Sequence, residues 1–508
     1  MSLLVLQTKK GFTILLGLIL LFAFLTRIYR VSTPPTYFFD EVYHAVTSKL
    51  ISRGDKAAYE WWNPAPEPDT AVDWLHPPLA KYTQAFGMRI FGENSFGWRI
   101  SSVVFGVAVI AATALIAHTA FGNNKLTLLA AFLASLDGLL LAQSRIAMND
   151  IHVTFCIILA AWSYIRYRKL TQRFTHDTGV SVKYLSLVGL LSGLAMGSKW
   201  SGIFVLVTIC LFEAIHFFTS KQTLLKKPFK SIAIRFATLI LLPIVIYLLS
   251  YSHMFLQGKS LVCTGSQVEQ TQCYCHQDSS WWVEGLSKLA PGQRPYFESL
   301  EARGGCKRMI SHFSELHNQI WWYQTTLKAT HPYQSRPWQW ALDLKPVWMH
   351  VDYTKNAEGV VGNVYGAGNP LLFWFGLTAS LILAVELSLL IFPRIGMFIL
   401  GVKPSKLQTA IPLELSFLLT LYAMVWIPWT VSPRIMFFYH YAPAVPLLCI
   451  LLSYFLLRFE KRTYGKAVIL ATIVMIIVAF ILLFPMFTGY PMPQQYVDTV
   501  FKVFPMWR

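Results

Sequence analysis

The feature that most constrains this chain is a series of long, nearly uncharged apolar runs, among them Phe12–Leu25, Ile232–Leu249 and Ala467–Leu483. A helix needs about 20 mostly apolar residues to cross bilayer hydrocarbon, where each backbone polar group must be satisfied within the segment. A transmembrane barrel shows short alternating segments instead. Only 13% of the residues are charged and 55% are hydrophobic, whereas about 25% are charged in a soluble domain. This excludes a soluble enzyme, a disordered chain and a fibrous repeat. The expected architecture is an all-α polytopic membrane protein of about eleven transmembrane helices. Their approximate spans are 11–28, 101–121, 126–143, 149–165, 184–198, 200–218, 232–252, 370–392, 411–429, 437–457 and 467–487.

The 43 Lys and Arg exceed the 25 Asp and Glu by 18, which reads as decoration of cytoplasmic loops rather than a nucleic-acid surface. With the N-terminus in the cytoplasm, the short inward loops hold Lys125; Arg166, Arg168, Lys169, Arg173 and Lys183; Lys221, Lys226, Lys227 and Lys230; Arg394, Lys403 and Lys406; and Arg458, Lys461, Arg462 and Lys466. The short outward turns carry single cations, Arg145, Lys199 and Arg434. Lys9 and Lys10 precede the first run, but no small-residue cleavage site follows it, so it reads as an uncleaved first helix. An odd helix count leaves the C-terminus outside.

Two outward segments are too long to be turns. The first, 31–100, is Pro-rich around Asn63–Pro68 and has an amphipathic piece near Lys81–Phe91 suited to the membrane interface. The second, 253–369, is polar and Trp-rich, and loops of that length usually carry function. They divide the chain into an N-terminal membrane module (1–252), an extracytoplasmic subdomain (253–369) and a C-terminal membrane module (370–508).

Unusual polar residues gather on the outward side: Asp40 and Glu41, His76 and Lys81, Arg99, Arg145 and Asp150, Lys199 and Trp200, Arg434 and His440. Each has a structural reading. Arg99 and Arg145 suit snorkelling anchors, Asp150 a helix N-cap, and His440 a hydrogen-bonded core histidine. Their shared face argues for function, because ionisable groups at membrane depth are costly. A carboxylate facing several cations at a lipid–water boundary suits one task, activating a hydroxyl beside a lipid-linked phosphate. The carboxylate takes the proton, and the cations meet charge developing on the leaving phosphate. No Gly-rich nucleotide cradle is present in the sequence.

The ordered motifs Phe39-Asp40-Glu41-Val42-Tyr43-His44, His76-Pro77-Pro78-Leu79-Ala80-Lys81, Phe96-Gly97-Trp98-Arg99, Asp137-Gly138 to Asp150, and Gly197-Ser198-Lys199-Trp200-Ser201-Gly202 run through the first half. Thr330-His331 to Trp340, Gly366-Ala367-Gly368-Asn369-Pro370 and Trp426 to Tyr441 follow. With them the chain resembles the protein O-mannosyltransferases, glycosyltransferase family 39, of the membrane GT-C type. The resemblance implies inverting transfer of mannose from a polyprenyl-phosphate carrier to Ser/Thr hydroxyls of exported proteins. It implies Asp40 as general base, Glu41 as a positioner of the acceptor or of Asp40's neighbours, and Arg99 in the site lining. His331 and Arg336 lie in the motif that, by resemblance, folds back toward the membrane at the site. Arg145, Asp150, Lys199, Trp200, Arg434 and His440, with His76 and Lys81, are expected to bind substrate. The second long segment is too short for the β-trefoil MIR domain of eukaryotic members, which implies a bacterial-type member of the inner membrane with an extracytoplasmic site.

Two rival functions follow from the same residues. One is a related transferase with a non-protein acceptor, such as the lipid A aminoarabinose transferases. The other is a secondary transporter, which would instead place polar groups at the midplane in matching halves. The lipid-linked sugar is a substrate; no cofactor is assigned, and a divalent metal at Asp40 and Glu41 stays open. Cys156, Cys210 and Cys449 read as packing residues. Cys263, Cys273, Cys275 and Cys306 suit disulfides outside the cytoplasm, with three connectivities open. A zinc site there is disfavoured by the Cys-Tyr-Cys spacing.

Overall fold

The computed structural model describes residues 8–59, 65–173, 179–219, 228–256, 262–264, 272–274, 309–326, 329–391 and 412–507. Among them, eight helices are long and apolar enough to cross a membrane: Lys9–Ile28, Ser95–Phe121, Gly179–Ser198, Trp200–Thr219, Phe229–Ser250, Pro370–Leu390, Leu413–Val431 and Gly465–Thr488. Asn124–Ser135 and Ala444–Leu457 are shorter apolar helices, and Asp150–Arg173 is a 24-residue helix with a basic C-terminal end. Cys275, Cys306, Lys221, Lys226, Lys227, Arg394, Lys403, Lys406 and Asn63 lie outside the described residues.

The elements used below are α1 (Lys9–Ile28), α2 (Glu41–Arg53), α3 (Leu79–Phe91), α4 (Ser95–Phe121), α5 (Asp150–Arg173), α6 (Gly179–Ser198), α7 (Met309–Thr326) and α8 (Gly465–Thr488). Side chains begin several of them: Thr8 accepts from the Gly11 N–H at 3.0 Å and Asn94 from the Gly97 N–H at 3.0 Å, each satisfying an otherwise orphaned donor. Helices α4, α5 and α6 pack side by side as the centre of the bundle. Small residues permit close approach, as membrane helix packing demands. At Gly189 of α6 a Cβ would lie 1.9 Å from the Thr238 carbonyl oxygen of the helix beside it. Leu18, Leu21 and Leu25 of α1 and Leu470 and Ile481 of α8 are exposed, as lipid-facing side chains are.

Arg145 is explained by the fold rather than by a ligand. Its guanidinium donates to the carbonyls of Arg27 (3.0 Å), Tyr29 and Thr488 (3.3 Å). It therefore binds the C-terminal ends of α1 and α8, where unpaired carbonyls and the helix dipole attract a cation.

Over the same end of the bundle, β1 (Val347–Asp352) and β2 (Val360–Gly366) form an antiparallel pair, and the C-terminal β3 (Met492–Pro493) adds to β2. Elsewhere in the long segment, Val262–Thr264 pairs with Gln272–Tyr274, with Cys263 opposite Cys273 in backbone register. Helix α3 buries Ala80, Lys81, Gln84 and Met88 and exposes Phe86, Ile90 and Phe91, the two-faced pattern expected of an interfacial helix. Cys156, Cys210 and Cys449 are free thiols, and Cys156 and Cys449 are buried.

Candidate active site

A cavity of about 370 Å³ opens among α2, the segment following it, α7 and the turns at the ends of the membrane helices. Asp40 and His44 line it from the start of α2, Asp73 and His76 from the following segment, and Asp150 and Lys199 from the turns around α5 and α6. Tyr323, Arg434, Tyr439 and His440 complete it. Asp40, His76, Asp150, Lys199, Arg434 and His440, scattered over 400 residues of sequence, thus meet in one place. Glu41, Lys81, Arg99, Arg145, Trp200, His331 and Arg336 are not in the lining.

Asp40 precedes the first residue of α2 but makes no side-chain cap hydrogen bond, so its carboxylate is directed to the cavity instead of the helix end. The residue before it, Phe39, has φ +50°, a left-handed conformation uncommon for a non-glycine residue and tolerated where the surroundings enforce it. Burial pushes the Asp40 carboxyl up to about 6, against the opposing pull of His44 and Lys199.

Glu41 does a different job from its neighbour. It is fully buried and takes Arg99 on both oxygens, Nε to Oε1 at 2.8 Å and Nη2 to Oε2 at 2.7 Å. It also accepts the backbone N–H groups of Ala147 (3.0 Å) and Phe38 (3.3 Å). Arg99 spends its remaining donors on the carbonyls of Val31, Pro34 and Thr36. Expected in the lining, Arg99 instead holds the loop that carries Asp40. A divalent ion shared by Asp40 and Glu41 has no basis, because both Glu41 oxygens are already engaged by cation and amide donors.

Lys81, expected at the substrate, is 2% exposed and faces Asp73. Its ammonium lies 2.9 Å from Asp73 Oδ2 and donates to the carbonyls of Asp73 (2.6 Å) and His76 (2.9 Å). Asp73 also meets His44 Nδ1 at 2.8 Å and His76 Nδ1 at 3.0 Å. Burial works to raise the Asp73 carboxyl, but Lys81, His76 and His44 outweigh it and hold it well below the usual carboxylate range. Burial lowers His76 to about 4 despite Asp73, so its imidazole is neutral at pH 7. His44, Asp73 and His76 bring ligand-type atoms within 4.8 Å of one another. The group does not suit a metal, because the Lys81 ammonium already supplies the cation that Asp73 needs.

Across the cavity, Lys199 Nζ pairs with Asp150 Oδ1 at 2.8 Å and stands 5.2 Å from the centre of the Tyr439 ring. The Tyr439 hydroxyl donates to Asp40 Oδ2 at 3.4 Å. Arg434 donates to the Gln324 side-chain oxygen of α7 and, among the described residues, makes no ion pair. His440 is wedged against Trp340 and Trp429, with ring centroids 5.9 and 4.5 Å away, and its Nδ1 lies 2.9 Å from the Phe437 carbonyl oxygen. Trp200 turns aside and donates to the Tyr247 hydroxyl at 2.9 Å. His331 lies at the rim against Phe437, and the Arg336 side chain is exposed. Their motif does fold back here, since the Ser335 N–H donates to the Met436 carbonyl at 2.8 Å.

Sequence reasoning passed over His44, Asp73, Tyr323 and Tyr439. His44 had a signal, its i+4 spacing from Asp40, and Tyr439 adjoined a residue already singled out. Asp73 stands three residues before His76, which was already singled out, whereas Tyr323 had no signal, because only the folded chain brings it to the cavity.

Comparison with known proteins bears on this geometry. Residues 17–256 match a family described as dolichyl-phosphate-mannose-protein mannosyltransferase, and residues 309–507 match the C-terminal four-transmembrane region of protein-O-mannosyltransferase. A polyprenol-phosphate-mannose–protein mannosyltransferase of Corynebacterium glutamicum is 26% identical over 468 residues, covering 85% of this chain and 81% of that protein. Its namesake from Mycobacterium tuberculosis is 24% identical, over 83% and 78% of the two chains. Among solved structures, the S. cerevisiae protein O-mannosyltransferase Pmt1-Pmt2 complex bound to the sugar donor superposes with a TM-score of 0.71. That match is at 15% identity and covers 97% of this chain and 92% of that one, which establishes a shared GT-C fold.

Proposed function

The chain belongs to the protein O-mannosyltransferase family, and from that premise we propose that it transfers mannose from a polyprenyl-phosphate carrier to Ser/Thr hydroxyls of proteins, with Asp40 as general base. The observation that carries this reading is the cavity in which Asp40 faces Lys199 and Arg434. An anionic leaving group and a hydroxyl nucleophile need opposite help, and both kinds of help line one space.

In this reading the acceptor oxygen attacks C1 of the sugar while Asp40 takes its proton. The C1–O bond to phosphate breaks, and the electron pair leaves with the polyprenyl phosphate. Lys199 and Arg434 meet the charge that develops there, and His76 adds a neutral imidazole. Attack opposite the leaving group inverts C1. The acceptor and donor enter from the side that carries the β1–β2 hairpin, read as extracytoplasmic, with the N-terminus in the cytoplasm of a bacterial inner membrane. Residues 1–252 and 370–508 then serve as membrane modules and 253–369 as the outer subdomain.

The test is the intact mass of a Ser/Thr peptide after incubation with purified protein and polyprenyl-phosphate-mannose. A hexose adduct that disappears with Asp40→Asn supports the reading. An adduct formed equally well by that variant removes Asp40 from the mechanism, and transfer to lipid A but not to peptide would assign a non-protein acceptor.

A further inference from the structure

Tyr439 touches groups on both sides of the proposed reaction. Its hydroxyl reaches Asp40 Oδ2 at 3.4 Å, and its ring centre lies 5.2 Å from the Lys199 ammonium. Phe39, the left-handed residue before Asp40, meets the same ring edge-on at 6.0 Å between centroids, and Phe437 stacks on it at 5.5 Å. The ring is buried, with 6% of its surface exposed, so it has one orientation to offer. Four neighbours from three stretches of sequence converge on one aromatic side chain.

We propose that Tyr439 is a positioning residue that sets the base and the phosphate-side cation relative to each other. This deepens the mannosyl-transfer reading and rests on it. The hydroxyl engages Oδ2 of Asp40 and so leaves Oδ1 to receive the acceptor's proton. A hydrogen bond to the ionised carboxylate favours that form, which opposes the effect of burial on Asp40. The ring face attracts the Lys199 ammonium and keeps it on the cavity side of Asp150, where an arriving phosphate competes with that carboxylate. Contact between Phe39 and the ring holds the left-handed turn that aims Asp40. Asp40 itself is faced by His44 from its own helix, Asp73 from the following segment, Asp150 and Lys199 from the turns around α5 and α6, and Tyr439 and Arg434 from the segment ahead of residue 444.

Two variants separate the two functions of this residue. Tyr439→Phe keeps the ring and removes the hydroxyl. We expect kcat to fall about tenfold, as loss of a long charge-assisted hydrogen bond would predict, with the donor KM within about twofold of wild type. The acidic limb of the pH–rate profile should move to higher pH, because Asp40 loses a donor that favoured its charge. Tyr439→Leu removes the ring too, and the donor KM should rise severalfold beyond the Phe variant. Both are read beside Asp40→Asn and with thermal melting in detergent to verify folding. A folded Tyr439→Phe with wild-type kcat and an unmoved pH profile overturns the role at the base. A folded Tyr439→Leu with wild-type donor KM overturns the role at Lys199. If Asp40→Asn is fully active, the underlying mechanism fails rather than the assignment of Tyr439.

Discussion

Glu41 and Arg99 form a fully buried, two-point ion pair directly behind Asp40. Adjacent acids in one dipeptide are thereby split between two duties. Asp40 faces the cavity, and Glu41 faces inward to the groups that fix the loop. The pair also binds five backbone groups, the N–H of Ala147 and Phe38 and the carbonyls of Val31, Pro34 and Thr36, so its loss is felt beyond a single contact.

Glu41→Ala is therefore expected to destabilise the protein rather than merely slow it. Removing one partner of a buried pair typically costs about 3–5 kcal/mol, because the other charge is left uncompensated. Thermal melting in detergent should show a drop of several degrees and a reduced folded yield. An unchanged melting temperature would show that the pair contributes no stability.

Asp40→Asn should behave in the opposite way. General-base removal typically costs about 10²- to 10⁴-fold in rate, and peptide mannosylation measures it. The carboxyl is pushed up to about 6 in the folded chain, above its unfolded value near 4. Stability from this group is thus complete below about pH 4 and lost as pH rises through 6. At pH 7.5 the amide removes that deficit, so the variant should melt at or above the wild-type temperature while being inactive. A less stable Asn variant would contradict the burial argument.

The same shift fixes a pH dependence. Asp40 must be ionised to take a proton, so kcat/KM should rise as pH passes about 6 and level off above it, reporting the free enzyme. A profile that stays flat down to pH 5 would mean that Asp40 ionises in its ordinary range or is not the base.

Helices and membrane class were legible because apolar length is a local property. Lys199 and Asp150, which line the cavity, were legible as candidates because an ionisable group at a turn between apolar helices is costly enough to need a reason. What the sequence does not disclose is the partner. Lys81, Arg99 and Arg145 have the residue types of phosphate ligands, yet each is consumed by groups that only folding brings near: Asp73, Glu41 and the carbonyls at the ends of α1 and α8. Tyr439 was overlooked for the converse reason. A tyrosine in an aromatic run carries no charge to explain, and its role lies entirely in what packs around it.

Arg434 offers a test of the phosphate side that does not touch the base. Its hydrogen bonds go to Gln324 and to the Ile435 carbonyl, so Arg434→Ala strands no buried carboxylate among the described residues. The melting temperature should stay near wild type while kcat/KM for the lipid-linked donor falls about 10- to 100-fold, the loss of one charge-assisted contact to phosphate. Equal donor kinetics in the variant would place the phosphate elsewhere in the cavity.

Asp73 and Lys81 allow the metal question to be asked of the protein's own cation. Asp73→Asn leaves the Lys81 ammonium buried without its carboxylate, and Lys81→Met leaves Asp73 without its lysine partner; each single change is expected to cost about 3 kcal/mol or more. The double variant removes both charges, so its loss should be smaller than the sum of the two, with the difference measuring their coupling. The Asp73 carboxyl is held well below its unfolded range. Its stabilisation is therefore present above about pH 4 and lost as pH falls toward the folded value. Wild-type melting should accordingly drop with acid in that window, and the double variant should be less sensitive there. Because Lys81 supplies the positive charge, a chelator should leave both melting temperature and peptide mannosylation unchanged. Loss of either on chelation, restored by a divalent ion, would show that His44, Asp73 and His76 hold a metal that Lys81 does not replace.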